Sequence, residues 1–262
     1  MQYGREFTEA LQFMWGKGFL SPGGPEEVEE MLVGCHLTGL RVLDIGSGLG
    51  GVDLLLATQH GAAEVIGIDV EPQLIASANE LITSQDLADR IKFRLVEPGP
   101  LPFEQESFDA VFSKDAMVHI EDKNGLFAEV VRVLRPGGMF IAADWLWAEG
   151  AGESPIVQGW LSATPLKFAF TTLREASEAM QKAGFAETEI QDRRALLQAS
   201  NRQEIETLAG PAKTRLAALV GDEMANARLA SARGRQAALD SGDLIPCHLR
   251  GRKPTFRAFK AR

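Results

Sequence analysis

The chain is poor in the residues and patterns that mark several large classes of protein. Among its 262 residues there are two cysteines, Cys35 and Cys247, which are expected to be free thiols rather than a disulfide. No run of about 20 uncharged apolar residues occurs, so no transmembrane helix is expected. The formal net charge is −9, so the chain has no basic excess with which to bind a nucleic-acid backbone.

The N-terminal segment lacks the apolar run of a secretory signal peptide, because Arg5, Glu6 and Glu9 place charges there. The composition therefore favours a cytoplasmic protein without a nucleic-acid partner and without insertion into a membrane. It leaves room for an anionic small molecule held by a few Arg or Lys side chains, and it leaves the oligomeric state open. With 45% hydrophobic and 24% charged residues, the chain is ordinary for a globular protein with one sizeable core.

What the sequence does contain is a regular alternation of strands and helices. Short apolar segments typical of buried strands alternate with segments in which apolar residues recur at helical spacing. This alternation predicts an α/β fold with a parallel sheet, helices on both faces and a ligand cleft at the carboxyl ends of the strands. The expected strands are 41–46, 64–70, 91–97, 108–115 and 139–147, and the helices between them are 50–61, 72–85 and 126–135.

The whole chain, 1–262, is expected to form one domain, because it has no internal repeat and no low-complexity linker. Residues 1–36 are expected to form a helical lid, 37–147 the ligand-binding core, and 148–262 the substrate pocket with a closing strand. Pro246 is awkward at the start of that strand, because proline cannot donate to a sheet. The further expected elements are helices at 7–16, 25–35 and 171–185, a strand at 186–193, an inserted helical segment at 201–240 and the closing strand at 244–254.

The sharpest motif is the segment LDIGSGLGG at 43–51, which joins the first expected strand to the next helix. Gly46, Gly48 and Gly50 let the backbone turn tightly and approach a ligand closely, while the N–H groups of the following helix point toward that ligand. Because Gly46, Gly48 and Gly51 also satisfy the fingerprint of nicotinamide dinucleotide sites, glycine spacing does not decide between cofactors.

Acidic residues near this motif favour S-adenosylmethionine (AdoMet). Asp44 precedes Gly46 by two positions, where its carboxylate would receive the ammonium group of AdoMet and would repel a pyrophosphate. Asp69 ends the second expected strand, where it would accept hydrogen bonds from both ribose hydroxyls. The plainer alternatives are that Asp44 caps the following helix and that Asp69 is a solvated strand end. Glu97 would accept the adenine amino group, although Pro98 beside it has no N–H to donate to the ring.

Several stretches of the sequence, taken together, resemble a known family. The segment 2–145 resembles the phosphoethanolamine N-methyltransferases, within the wider class I AdoMet-dependent methyltransferases. The glycine motif is common to the whole class, whereas the pairing of SPGG upstream with SKDAMVH downstream is much narrower. The stretches that carry the resemblance are QY at 2–3, FMWGKGFLSPGG at 13–24, VLDIGSGLGG at 42–51, FSKDAMVHI at 112–120 and LRPGGMFIAADW at 134–145.

The resemblance implies a Rossmann-like class I methyltransferase sheet, with an N-terminal helical lid and a helical insertion near the C-terminus. It implies that Asp115 lies beside the reacting nitrogen. It also implies a Tyr3–His119 pair over the active site, with Tyr3 on the lid. The residues that it assigns to AdoMet are Ser21, Gly46 and Asp69.

The departures from the family lie after Trp145. Family members line the phosphobase pocket with several tyrosines, but the corresponding places here read Trp145 and LKFAFTT at 166–172. Tyr3 is the one tyrosine in the chain. The chemistry is therefore better indicated than the substrate. Candidates for holding a phosphate are Arg228, Arg233 and Arg235 on the inserted segment, together with Lys167.

The residues around the fourth strand suit methyl transfer to an amine. An ammonium substrate must lose a proton before it can attack, so a proton acceptor has to lie within hydrogen-bond reach. His119 is the expected base, since its ordinary pKa lies near neutrality, and Asp115 would hold the substrate cation. A helical turn would put Asp115 and His119 on one face, with Tyr3 orienting His119. The alternatives are that His119 caps the loop after it and that Asp115 caps a helix.

Aromatic residues later in the chain would complete the substrate pocket. Trp145, Trp147 and Phe168 would form a wall against a methylated ammonium, or else simply pack in the core. Asp144 would add a second polar contact.

The sequence as a whole predicts an AdoMet-dependent N-methyltransferase for a small amine, with phosphoethanolamine as the first guess and with no metal. Its alternatives are a methyltransferase for an amino acid, a thiol or a phosphonate amine, an NAD-binding oxidoreductase, and an inactive AdoMet-binding regulator. The oxidoreductase is disfavoured by Asp44 and by the absence of a Tyr-x-x-x-Lys pair.

Overall fold

A single seven-stranded sheet organises the chain in the computed structural model, which describes residues 3–255; Gln2 of the family-like QY pair lies outside the described residues. The first five strands run parallel to one another, and the last strand, β7, runs antiparallel between β5 and β6, giving the order β3-β2-β1-β4-β5-β7-β6. The strands are β1 (Arg41–Ile45), β2 (Glu64–Asp69), β3 (Ile91–Leu95), β4 (Phe108–Lys114), β5 (Leu134–Trp147), β6 (Ala186–Asp192) and β7 (Leu244–Arg252).

Helices cover both faces of this sheet, which confirms the predicted Rossmann-like α/β class. Successive residues of the central strands serve opposite faces: Val42 packs in one core and Leu43 in the other. Within residues 3–255 the helices are α1 (Arg5–Trp15), α2 (Gly24–Leu32), α3 (Gly51–Thr58), α4 (Pro72–Thr83), α5 (Lys123–Val133), α6 (Pro155–Ser162), α7 (Leu173–Ala183), α8 (Arg194–Ala209), α9 (Ala212–Val220) and α10 (Asp222–Asp240).

The N-terminal helix and the inserted segment share a smaller core of their own. Ala10 of α1 packs with Leu216 of α9 and Leu229 of α10, and all three side chains are buried. The helical segment expected at 201–240 is in fact three helices, because it starts earlier, at Arg194, and is interrupted at Gly210 and Gly221. The expected lid and insertion therefore pack on each other.

The fifth strand is longer than expected. It begins at Leu134 instead of residue 139, so the preceding helix ends at Val133 and does not reach 135. A bulge accommodates the Pro-Gly-Gly segment: Leu134 pairs with Phe108, whereas Met139 pairs with Ala110. The spacing of apolar residues gives no sign of a β-bulge. The predicted boundary between the helix and the fifth strand was therefore wrong.

Pro246 lies inside β7, opposite Trp145 of β5. Its carbonyl accepts a hydrogen bond from Arg193 N at 2.8 Å, one residue past the end of β6. The N–H that proline lacks would therefore lie at the end of the β6–β7 hydrogen-bond ladder, where its loss removes no internal bond of the sheet.

Both cysteines are free, as expected. No helix among the described residues 3–255 is long and apolar enough to cross a bilayer.

We expect Gly46→Ala to destabilise the fold more than Gly39→Ala does. Both glycines have the same left-handed backbone, with φ of +79° and +78°. A Cβ at Gly46 would overlap the Cβ of Ala116, whereas a Cβ at Gly39 would meet no atom within 4 Å. The left-handed backbone alone should cost about 1–2 kcal/mol in each variant, and the overlap should add about 1–3 kcal/mol at Gly46. Urea unfolding of the two variants measures the difference; equal losses would show that the turn relaxes.

Candidate active site

The glycine-rich loop joins β1 to α3 and touches the end of β2. The N–H groups of Gly46 and Ser47 donate to the carbonyl of Ile68, at 2.8 and 3.0 Å. Gly46, Gly48 and Gly50 all have positive φ, which glycine adopts without strain. The loop makes the tight turn that its sequence predicted, and it also contacts the carboxyl end of the neighbouring strand β2.

Asp69 is fixed at the end of β2 by two backbone donors. Its Oδ2 accepts from Gly48 N and its Oδ1 from Glu71 N, both at 3.0 Å. Each oxygen retains a further lone pair, so the carboxylate can still accept from the two hydroxyls of a ribose. Burial raises the pKa of Asp69. The position and donors fit the predicted role, which remains a prediction for this chain.

Asp44 lies inside the sheet beside a second carboxyl that the sequence did not single out. Asp44 and Asp53 are both buried, and no donor within the described part of the chain reaches any of their four side-chain oxygens. Burial raises the pKa of Asp44 to about 7. Burial, followed by the charge of Asp44, raises the pKa of Asp53. A shared proton satisfies such a pair, so Asp44 offers less negative charge to an ammonium group than its position suggested.

Glu97 lies two residues beyond the end of β3 and its side chain is exposed. Its assignment to the adenine amino group stays a prediction.

His119 and Tyr3 meet as the resemblance implied, although 116 residues separate them in sequence. Nδ1 of His119 lies 2.6 Å from the backbone carbonyl of Lys167. A carbonyl only accepts, so Nδ1 carries the proton and Nε2 keeps its lone pair. The Tyr3 hydroxyl lies 3.3 Å from Nε2 and donates to it. Burial lowers the pKa of His119, so the ring is neutral at neutral pH, and burial raises the pKa of Tyr3, so the phenol stays protonated.

Asp115 lines the same pocket as Tyr3 and His119, but not on a shared helix face. Its φ is +55°, a left-handed turn that aims the chain away from β4 before the short 3₁₀ turn Met117–His119. The helical turn that would have put Asp115 and His119 on one face does not extend over 115–119, because only Met117–His119 is helical, and both residues line one pocket without it.

Two buried lysines around this turn were missed in the sequence. Lys114 Nζ donates to Ser21 Oγ at 2.6 Å and to Asp115 Oδ2 at 2.9 Å. Lys123 Nζ donates to the carbonyls of Met117 and Ile120, which holds the 3₁₀ turn in place. Nothing in the local sequence distinguishes these lysines from solvated ones. Ser21, predicted to contact AdoMet, is therefore bonded to Lys114, and its cofactor role stays a prediction.

Asp144 supports the turn from beneath. Its Oδ1 accepts from Val118 N at 2.9 Å, one residue before His119. Burial raises the pKa of Asp144 to about 7, and the charge of nearby Lys123 opposes that rise. Asp144 thus holds the backbone of the turn that carries His119.

An aromatic wall closes the pocket. Phe168 stacks on His119 with ring centroids 5.3 Å apart, and on Trp160 at 5.5 Å. Trp145 stacks on Trp160 at 5.7 Å. These three aromatic side chains line the pocket. Trp147 is not among the residues that line it and stacks on Phe170 instead, so Trp147 belongs to the core.

Two of the candidate cations reach the pocket. Arg228 and Arg235, both buried, line it together with Tyr3 and Asp115. Arg233 and Lys167 have exposed side chains and do not line it, so the structure does not support either as a phosphate ligand.

Comparison with known proteins matches residues 43–142 to the methyltransferase domain family. The Caenorhabditis elegans phosphoethanolamine N-methyltransferase 2 is 31% identical over 193 residues, which are 73% of this chain and 43% of that protein. The Plasmodium falciparum (isolate 3D7) phosphoethanolamine N-methyltransferase is 32% identical over 151 residues, 56% of this chain and 55% of that protein. The chain thus spans about half the length of these relatives.

A solved structure of Haemonchus contortus phosphoethanolamine N-methyltransferase 2, in complex with phosphomonomethylethanolamine and S-adenosylhomocysteine, superposes with a TM-score of 0.89 at 25% identity. It covers 97% of this chain and 59% of that chain. The chain therefore has the class I AdoMet-dependent methyltransferase fold, contains a methyltransferase domain and resembles the phosphoethanolamine N-methyltransferases.

We expect stability to fall with rising pH through the Asp44–Asp53 pair, and Asp53→Asn to reduce that fall. Unfolded aspartates ionise at a pKa of about 3.9, whereas burial raises the pKa of Asp53 and raises that of Asp44 to about 7, so the stabilisation from the bound proton is lost as pH rises through the folded pKa. Urea unfolding at about pH 5 and pH 8 measures how much the free energy of unfolding falls between these two pH values. This fall should be smaller by about 2 kcal/mol in Asp53→Asn than in the wild type. Exposed Asp86→Asn is the control; equal losses in all three proteins would contradict the pairing.

Proposed function

We propose that this chain, which resembles the phosphoethanolamine N-methyltransferases, transfers the methyl group of AdoMet to the nitrogen of a small amine. The first acceptors to consider are phosphoethanolamine and its methylated forms. The observation that carries the proposal is the hydrogen-bonded Tyr3–His119 pair, with Nε2 of His119 as the acceptor, in one pocket with Asp115. The cytoplasmic location and the lack of a nucleic-acid partner remain predictions from composition.

The glycine loop and Asp69 fit AdoMet as a cofactor. Gly46, Gly48 and Gly50 let the loop turn tightly at the strand ends, and Asp69 presents a fixed carboxylate there. AdoMet supplies a methyl group on a sulfonium, already an electrophile. The Haemonchus contortus relative has been solved with S-adenosyl-L-methionine, which supports the same cofactor here.

Asp115 would hold the acceptor ammonium. Its side chain is 11% exposed and lies on the pocket wall, where a positive charge is attracted more strongly than in water. Lys114 occupies one of its oxygens, at 2.9 Å, which leaves the other for the substrate. The aromatic faces of Trp145 and Phe168 would favour a nitrogen that becomes more methylated and remains cationic.

The Tyr3–His119 pair would remove the proton. An acceptor N–H donates to the Tyr3 oxygen, whose own proton moves along the existing hydrogen bond to Nε2 of His119. The resulting imidazolium keeps its Nδ1–H bond to the Lys167 carbonyl, so the ring need not turn. The depressed pKa of His119 means that the proton is readily returned to solvent after transfer.

A different acceptor is the second candidate. Trp145 and Phe168 have no hydroxyl groups, and the family's pocket tyrosines are absent. A pocket with fewer hydroxyl groups forms fewer hydrogen bonds to a phosphate. The methyl acceptor could therefore instead be an amino acid, a thiol or a phosphonate amine.

Methyl transfer from labelled AdoMet to a panel of acceptors tests the proposal. The panel contains ethanolamine, phosphoethanolamine and its mono- and dimethyl forms, aminoethylphosphonate, glycine and small thiols. Turnover with any amine supports N-methylation, and turnover with phosphobases supports the phosphoethanolamine reading. Turnover confined to thiols would overturn N-methylation, and silence across the panel would count against the whole proposal.

We expect His119→Ala to bind AdoMet normally and to lower kcat by about 10²–10⁴, the usual contribution of a general base. Tyr3→Phe should act in the same direction more weakly, because it removes the relay but leaves the imidazole. Because the base must be neutral, wild-type kcat/KM should fall as pH drops below the lowered pKa of His119. Exposed His36→Ala is the matched control. Full turnover of His119→Ala at every pH would remove this residue from the mechanism.

We expect Asp69→Ala to weaken AdoMet binding by about a hundredfold or more, since two hydrogen bonds to a charged group are lost at about 1.5 kcal/mol or more each. Calorimetry measures the affinity directly. Asp89→Ala removes an exposed aspartate and should leave it unchanged. An unchanged affinity in Asp69→Ala would place the ribose elsewhere.

A further inference from the structure

Three buried charged side chains join α8 to α10 on one wall of the amine pocket. Glu204 accepts from Arg228 Nη2 through Oε1, at 2.9 Å, and from Arg235 Nη2 through Oε2. Arg235 Nε also donates to Asn201 Oδ1 at 2.6 Å. The side chain of Glu204 is 0% exposed, and those of Arg228 and Arg235 are 6% and 5% exposed.

This triad is not sealed off from the substrate. Arg228 and Arg235 line the pocket that also holds Tyr3 and Asp115. The guanidinium of Arg235 lies 5.6 Å from the ring centroid of Trp145, so it stands beside the aromatic wall. Nε of Arg228 is buried and has no hydrogen-bond partner within residues 3–255. A buried donor without a partner calls for an explanation, and a ligand in the adjoining pocket would supply one.

The charges of the triad do not cancel. Two guanidinium groups and one carboxylate leave one positive charge in excess, because arginine stays protonated in proteins. Asn201 is neutral, and Asp115 across the pocket is paired with Lys114 at 2.9 Å. An unbalanced buried charge is costly, and a bound anion would relieve it.

We propose that Glu204 sets the charge of an acid-binding subsite, so that the favoured acceptor combines its amine with a singly charged acid group. Arg228 and Arg235 bind that group, and Glu204 cancels one of their two charges. A carboxylate, a sulfate ester or a singly protonated phosphate matches the remaining charge, whereas a phosphate dianion does not. This inference rests on the proposed function, because the amine end of the acceptor lies at Asp115.

Two ligands of the same shape and different charge test the subsite. Choline O-sulfate and phosphocholine share a quaternary nitrogen that does not titrate. At about pH 8 the sulfate carries one negative charge and the phosphate carries two, because the second pKa of a phosphate ester is about 6. Calorimetry on the full chain with S-adenosylhomocysteine present measures the affinities of both ligands. Choline, which has no acid group, is the control ligand. Choline O-sulfate should bind about tenfold more tightly than phosphocholine, because the desolvation cost grows with the square of the ligand charge whereas attraction to one net positive charge grows only in proportion to it. Choline should bind more weakly than choline O-sulfate.

Glu204→Gln should invert the order, because the subsite then carries two positive charges. Glu206→Gln is the matched control, since it removes the same charge from an exposed position on the same helix. A role of Glu204 confined to folding would change both affinities alike and would leave their ratio unmoved. Retained S-adenosylhomocysteine binding shows that the variant is folded.

The wild-type chain provides a second test that does not depend on the variant folding. Lowering the pH from about 8 to about 5.5 adds a proton to phosphocholine but not to choline O-sulfate, so the affinity ratio should move toward phosphocholine. Phosphocholine binding more tightly at pH 8 would overturn the charge selection and leave the amine site intact. Equal binding of choline and choline O-sulfate would show that no acid subsite exists. Failure of all three ligands with S-adenosylhomocysteine bound would overturn the proposed function as well.

Discussion

The hydrogen bond from His119 Nδ1 to the carbonyl of Lys167 determines what the rest of the pocket can do. It assigns the ring proton to Nδ1 and therefore leaves Nε2 facing the Tyr3 hydroxyl. It also ties the turn after β4 to the segment before α7, which places Phe168 against the imidazole face. Without that carbonyl the imidazole would be free to take the other tautomer, and the pair would lose its direction of proton transfer.

Buried charge is arranged in small groups around this pair. Lys114 pairs with one oxygen of Asp115, and Lys123 lies close enough to Asp144 to oppose the rise in its pKa. These groups are compatible with burial because each charge has an opposite charge or backbone carbonyls within reach. The group formed by Glu204, Arg228 and Arg235 differs, because two positive charges share one negative charge. This excess positive charge is what would let the pocket wall bind an acid group.

The loops and turns show why part of the site was predictable. The glycine motif, Asp69 and the alternation of strands and helices were accessible from the sequence, because strand ends and left-handed turns depend on residues close together in the chain. The Tyr3–His119 contact was accessible through family resemblance alone, since no local pattern relates residues 116 positions apart. A helical face shared by Asp115 and His119 does not form, because Asp115 has a left-handed backbone and the helical turn begins only at Met117.

By itself, the sequence determined the α/β alternation, the glycine loop and the types of residue available for proton transfer, because periodicity and turn chemistry are local properties. The tertiary structure alone decided that Asp53 faces Asp44, that Lys114 holds Ser21, and that Glu204 lies between two pocket arginines. Charged side chains look alike in a sequence whether they are solvated or buried. Packing of distant segments removes water from some of them, and their pKa, pairing and affinity for an anion follow from that removal.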